Sequence, residues 1–118
     1  MGESLAAGRP VPVREPAPPT RCDALQTKLV SPLTLAALGR SGASGVTVTE
    51  AEVEAAMAFA ARHLRLVVEP GGAVALAALL AGKAGSPGGK CVVVVSGGNV
   101  DPALYAGILA AQAAEAER

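Results

Sequence analysis

The residues most able to take part in chemistry are Ser96-Gly97-Gly98-Asn99, a glycine-rich turn that directly follows the apolar run at residues 91–95. Between a buried strand and a helix, such a turn lets backbone N–H groups approach a ligand closely, and the helix N-terminus favours an anionic or electron-rich group. Similar turns also occur simply because glycine tolerates positive φ. The turn alone therefore leaves open a cofactor site, a site for an unrelated anion or nucleotide, or no site.

The two cysteines and the single histidine do not indicate a disulfide or a metal site. Cys22 and Cys91 are separated by most of the chain, no Cys-x-x-Cys pair is present, and His63 is the only imidazole. We expect Cys91 to be a small buried apolar residue at the start of a strand. We expect His63 to be partly exposed near the end of a helix.

Composition limits the possible functions of this chain. A length of 118 residues allows one domain, and 51% hydrophobic against 17% charged residues predicts a packed core. Ten basic and ten acidic residues provide no basic surface for nucleic acid. The sequence shows no targeting segment and no apolar stretch approaching the roughly 20 residues that span a bilayer. A cytoplasmic location without nucleic-acid or membrane partners is the expectation.

The first half of the chain is predicted to contain an extended connection and two helices. Five of the nine prolines lie in the first 20 residues, so residues 1–31 are expected to form an extended connection. A short helix is predicted over residues 32–38. Thr49 and Glu52 have the spacing of a capping box, so a second helix begins there and continues to Leu64 with one apolar stripe.

The second half is predicted to alternate helix and strand. Residues 73–80 are helical in composition and almost wholly apolar, which predicts a helix buried on most sides. The run at residues 91–95 is typical of a central parallel strand covered on both faces. Asp101 can cap a last helix that has Pro102 in its first turn.

Five segments taken in order give a more specific signal. They are SLAAGR, CDALQT, VTVTEAEV, VEPGGA and SGGNVD, at residues 4–9, 22–27, 46–53, 68–73 and 96–101. Their order and spacing resemble the closing portion of fold-type-II pyridoxal-phosphate enzymes, particularly threonine/serine dehydratases (ammonia-lyases) and serine racemases. The resemblance implies an α/β fold of the tryptophan synthase beta type, three-layer αβα with a partial parallel sheet. Residues 1–118 would form a single partial domain, the C-terminal segment of the catalytic domain.

The resemblance also implies a set of cofactor-binding residues. In the family, the serine or threonine that opens the SGGN-like turn hydrogen-bonds the pyridine nitrogen of pyridoxal 5'-phosphate, and the matching residues here are Ser96 and its neighbour Gly97. Glu69 matches a position close to the cofactor ring, but a carboxylate before a helix at Pro70 also stabilises a helix N-terminus. Ala24 stands where the family usually has a glycine near the cofactor, so its Cβ is expected to crowd the ring or change the backbone.

The resemblance assigns no catalytic residue and no metal ligand to this chain. The family's Schiff-base lysine, its phosphate-binding loop and the cation site of its racemases lie N-terminal to the matched portion, and Lys28, Lys83 and Lys90 are in unrelated contexts. We therefore expect a fragment, inactive alone, of a lyase of amino-acid metabolism that deaminates L-threonine or L-serine to a 2-oxo acid and ammonia.

Two alternatives stay open, a serine racemase fragment and a non-catalytic interaction module of the same fold. The expected partners are a small amino-acid substrate in the intact enzyme, another copy of the chain, or a complementing N-terminal fragment.

Overall fold

Five α-helices provide most of the regular structure in the described part of the chain. The structure is a computed structural model that describes residues 1–85 and 88–116. In chain order the helices are α1 (Gly2–Ala7), α2 (Pro32–Arg40), α3 (Glu50–Phe59), α4 (Pro70–Leu80) and α5 (Pro102–Ala116), with a 3₁₀ turn at Asp23–Leu25. Every helix predicted from the sequence is present. Within the described ranges, no helix combines the length and the apolar character needed to span a membrane.

Helix α3 begins at the capping box that its sequence predicts. The Thr49 hydroxyl accepts the Glu52 N–H at 3.2 Å and the Glu52 carboxylate accepts the Thr49 N–H at 2.7 Å, which confirms the capping box. The helix continues as a π-helical turn over Ala60–Leu64 and ends at Arg65, whose φ of 59° is left-handed. His63 is exposed in this last turn, as predicted.

The core lies between α3 and α4, with α5 packed against α3. Helix α4 has buried residues around most of its circumference, as the apolar composition predicts. Small side chains allow the two helices to approach closely. The buried cluster consists of Cys22, Val53, Ala56, Met57, Ala60, Val68, Ala73, Leu76, Ala77 and Ile108.

The start of the chain differs from the extended connection predicted over residues 1–31. Residues 2–7 form α1, which ends at Gly8 with a left-handed φ of 64°. The buried Ser4 hydroxyl accepts the Val11 N–H at 2.9 Å. This bond joins the helix to the segment after it, and no local pattern of residues predicts a contact between positions seven apart.

The apolar run at residues 91–95 is not assigned as a strand, and the described residues contain no strand at all. Val93 and Val95 contact the core, whereas Val92 and Val94 are 90% and 71% exposed. This alternation is that of a strand with one covered face, but a strand requires a hydrogen-bonded neighbour. The prediction that Cys91 is buried is wrong: this residue is exposed, because it lies at the start of the run, before Val93 and Val95, which pack against the core.

Candidate cofactor site

The turn at Ser96 lies directly against the first turn of α4. The Ser96 N–H points to the Gly72 carbonyl oxygen at 3.4 Å. A Cβ added to Gly72, which is buried, would lie 1.4 Å from the Ser96 carbonyl oxygen. Position 72 therefore has to be glycine for the turn to reach the helix.

Glu69 holds the turn from the other side. Its N–H donates to the Gly97 carbonyl at 3.1 Å, and its carboxylate accepts the Asn99 N–H at 3.2 Å. Although Glu69 occupies the N-cap of α4, its side chain makes no capping hydrogen bond to that helix. Glu69 therefore contacts the turn and makes no side-chain capping bond, and its predicted place beside the cofactor ring stays a prediction.

Gly97 is constrained twice. Its φ of 70° lies in the left-handed region that favours glycine. A Cβ at this position would also lie 2.3 Å from Oε1 of Glu69. The backbone next to Ser96 is thus fixed by its own conformation and by the carboxylate packed against it.

Ala24 reaches the same end of α4 by a different route. It lies in the 3₁₀ turn, where its N–H donates to the Asp23 carboxylate at 2.7 Å. A Cβ placed on Gly71 would be 3.6 Å from the Ala24 Cβ. The four residues predicted to bind the cofactor therefore lie close together at the start of α4. Glu69 is the residue before this helix, and Gly97 contacts it. Ser96 contacts Gly72, and Ala24 lies beside Gly71.

The arrangement fits the ring-nitrogen end of pyridoxal phosphate. Ser96 is exposed, and no hydrogen bond among the described residues uses its hydroxyl. A hydroxyl can donate to or accept from a ring nitrogen. Here the hydroxyl belongs to a turn in which the next two residues, Gly97 and Gly98, have no side chain that could block access to it. The described residues contain no group of three or more His, Cys, Asp or Glu that could hold a metal ion.

Cys22, at the start of the 3₁₀ turn, does not have the surroundings of a nucleophile. Burial raises the pKa of its thiol, the negative charges of Glu50 and Asp23 add to this, and the hydrogen bond with Thr20 acts in the opposite direction. A raised pKa leaves little of the reactive thiolate at neutral pH. We interpret Cys22 as part of the core.

Sequence reasoning missed the role of Gly72. A signal was present, because two consecutive glycines in the first turn of a helix weaken that helix and require a separate reason. The part played by Asn99 was also missed. Its backbone N–H, not its side chain, makes the contact with Glu69, and residue type does not predict a contact of that kind.

Comparison with known proteins identifies the family. The family model described as "Pyridoxal-phosphate dependent enzyme" matches residues 1–97. The chain belongs to this family. The family predicted from the five segments is therefore confirmed, and pyridoxal phosphate is its cofactor.

Individual relatives in this family carry related names. The L-threo-3-hydroxyaspartate ammonia-lyase of Pseudomonas sp is 35% identical over 92 residues, 78% of this chain and 29% of that protein. The beta-hydroxyaspartate dehydratase of Paracoccus denitrificans (strain Pd 1222) is 44% identical over 55 residues, 47% of this chain and 18% of that protein. The chain thus spans less than a third of the length of these curated relatives.

A solved structure gives the same answer at the level of the fold. The crystal structure of the T.th. threonine deaminase matches with a TM-score of 0.68 and 32% sequence identity, covering 85% of this chain and 33% of that one. This match confirms the α/β, fold-type-II class. The cofactor contacts of Ser96, Gly97, Glu69 and Ala24 stay predictions.

Proposed function

We propose that this chain forms the ring-nitrogen side of the cofactor site in a pyridoxal-phosphate-dependent ammonia-lyase that converts L-threonine or L-serine to a 2-oxo acid and ammonia. The observation that carries the proposal is the exposed Ser96 hydroxyl, held on a turn that Glu69 and Gly72 fix in place. The relatives support an ammonia-lyase, since two are named for lyase or dehydratase activity and one as a deaminase.

The residue type at position 96 suits an elimination. Pyridoxal phosphate, when bound, supplies an electron-accepting ring that weakens the bonds at the substrate's α-carbon. The neutral Ser96 hydroxyl does not hold the ring nitrogen protonated as a carboxylate would, so the ring accepts electrons less strongly. Loss of a β-hydroxyl needs only brief negative charge at the α-carbon, and a β-hydroxyl is what threonine and serine share.

The remaining site residues orient this hydroxyl. Glu69 accepts the Asn99 N–H and thereby fixes the turn after Ser96. Gly72 allows the backbone at Ser96 to contact α4. We assign these residues to orientation and Ala24 to the wall of the site.

The test uses the protein as its gene encodes it, with whatever sequence surrounds this chain, supplied with pyridoxal phosphate. Formation of 2-oxo acid and ammonia is measured with L-threonine, L-serine and L-threo-3-hydroxyaspartate, and D-serine is measured by chiral chromatography. We expect 2-oxo acid from threonine or serine. Ser96→Ala should lower kcat/KM by about 10- to 100-fold, the effect of one lost hydrogen bond to a charged or polarised group.

Ser44→Ala is the matched control, because Ser44 is also exposed but lies in the segment before α3. It should leave the kinetics unchanged. Equal activity of the Ser96→Ala and Ser44→Ala proteins would contradict the role of Ser96. D-serine as the main product would favour the racemase alternative, and no product from any substrate would favour a non-catalytic module.

A further inference from the structure

One carboxylate at the start of α3 holds the segment that leads to Ala24. The Glu50 carboxylate accepts the Thr20 hydroxyl at 2.6 Å and the Arg21 N–H at 3.1 Å. The Thr20 hydroxyl oxygen in turn accepts the Cys22 N–H at 3.0 Å. Three consecutive residues are therefore held, directly or through one hydroxyl, by Glu50.

The held segment continues without a break to the cofactor site. Cys22 is only 7% exposed and belongs to the core cluster. Its carbonyl accepts the Leu25 N–H at 2.9 Å, which closes the 3₁₀ turn. The side chains of Ala24 and Leu25 then lie beside Gly71, in the first turn of α4.

Glu54, one turn further along α3, provides a natural contrast. Its carboxylate pairs with the guanidinium of Arg21, whose side chain is 48% exposed. Ion pairs at such positions contribute little. Glu50, by comparison, receives a backbone N–H and a half-buried hydroxyl. Hydrogen bonds to an ionised acceptor are roughly twice as strong as neutral ones.

We infer that Glu50 is a positioning residue of the cofactor site, which it serves by fixing the Thr20–Leu25 segment and thereby placing Ala24 against the start of α4. Glu50 does not contact the predicted cofactor-binding residues itself. The inference rests on the proposed function for its cofactor part, while the fixing of the segment is a separate property of the chain. No feature of the sequence alone pairs position 50 with position 20.

The experiment compares the unaltered protein, as its gene encodes it, with Glu50→Ala, Glu50→Gln, Thr20→Val and the control Glu54→Ala. The dissociation constant for pyridoxal phosphate is measured by absorbance titration, and hydrogen exchange is measured at the Cys22 and Leu25 amides. In Glu50→Ala we expect the dissociation constant to rise about fivefold and these two amides to exchange about tenfold faster, the loss expected for one net hydrogen bond to a charged group.

The variants separate positioning from general loss of stability. Thr20→Val keeps the shape of the side chain and should reproduce part of the Glu50→Ala effect, and Glu50→Gln, which retains an acceptor oxygen, should be intermediate. Exchange in α5 should stay unchanged in all of them. Glu54→Ala should change neither the dissociation constant nor the two amides.

Two results would overturn the inference. One is unchanged affinity and exchange in Glu50→Ala while the unaltered protein binds pyridoxal phosphate normally. The other is an equal effect of Glu54→Ala, which would indicate a general effect of charge on α3. If the unaltered protein fails to bind pyridoxal phosphate, the proposed function fails together with the cofactor part. The exchange rates still decide whether Glu50 fixes the segment.

Discussion

Glycines, more than charged residues, set how closely the parts of the candidate site approach one another. Gly72 lets the Ser96 backbone contact α4, and Gly97 makes room for the Glu69 carboxylate. The sequence predicted Gly97 as part of a ligand-binding turn, whereas the glycine pair at residues 71–72 indicated that a reason was needed but not that the reason was contact with Ser96. The difference has a physical cause: a Gly-rich turn is a local pattern, whereas the closeness of two segments 24 positions apart is decided by tertiary packing.

The two constraints on Gly97 can be separated by mutation. Gly97→Ala should lower the free energy of unfolding by more than about 1 kcal/mol, because it adds contact with Glu69 to the penalty of a left-handed φ. Gly8→Ala is the control, since Gly8 has a similar φ of 64° and no atom within 4 Å of an added Cβ. Urea denaturation of both variants measures the difference.

Glu69→Ala should then partly rescue Gly97→Ala. Removing the carboxylate relieves the contact but leaves the backbone penalty, so the double variant should be more stable than the sum of the single effects predicts, by roughly 1 kcal/mol. Additive effects, or a Gly97→Ala change no larger than that of Gly8→Ala, would mean that the approach of Glu69 to Gly97 does not constrain this position.

At the scale of elements, the helix starts were predictable because their signals are local. Thr49 and Glu52 form the expected capping box, and the Asp101 carboxylate accepts the Leu104 N–H at 2.8 Å as a cap of α5. The contact between Lys83 and the capping box of α3 was not predictable. Lys83 lies 31 positions away, and its ammonium donates to the Glu52 carboxylate at 2.7 Å and to the Thr47 carbonyl at 3.2 Å.

This connection predicts how stability changes with pH. The hydrogen bond from Lys83, and next the one from the Thr49 backbone, lower the pKa of Glu52 below its ordinary value of 4.5. Because the pKa is lower in the folded than in the unfolded protein, the stabilisation is present above pH 4.5 and is lost as the pH falls through the folded-state pKa. The measurement is the free energy of unfolding between neutral pH and about pH 3.

Variants assign the pH dependence to this contact. Lys83→Met should weaken the loss of stability on acidification, because it removes the largest cause of the lowered pKa, and Glu52→Gln should remove the Glu52 contribution altogether. Lys90→Met, at an exposed lysine elsewhere, should leave the profile as it is in the unaltered protein. A Lys83→Met profile identical to that of Lys90→Met would show that Lys83 does not govern the titration of Glu52.

At the scale of the whole molecule, large apolar side chains are exposed among the described residues of the chain, Val92 and Val94 among them. Its radius of gyration is 15.5 Å, larger than the roughly 13.5 Å of a compact domain of this length. The sequence did not predict α1, but it predicted the family, helices α2 to α5 and a strand at residues 91–95 covered on both faces. It did not predict that one face of this segment is exposed. An apolar run indicates that a segment should be covered, but it does not indicate whether the described residues provide the cover.

The alternation at residues 91–95 allows the two faces of this segment to be tested apart. Val92→Thr with Val94→Thr changes the exposed side chains and keeps their β-branched shape, so the free energy of unfolding should change by less than about 0.5 kcal/mol. Self-association of the 118-residue chain should fall, since exposed apolar surface and unpaired strand-like backbone promote it. Sedimentation velocity at several concentrations gives the association.

Val93→Thr with Val95→Thr is the matched pair on the inner face. These side chains pack against the core cluster, so placing a hydroxyl there should lower the free energy of unfolding by about 1–2 kcal/mol per residue. Self-association of the Val93→Thr, Val95→Thr protein should not fall, because the exposed face is unchanged. If both pairs destabilise the chain equally, Val92 and Val94 are covered in solution. In that case the exposed face would be an interface between copies of the chain. Reduced self-association of the Val92→Thr, Val94→Thr protein would support this interface, whereas unchanged self-association would indicate a shift of the segment itself.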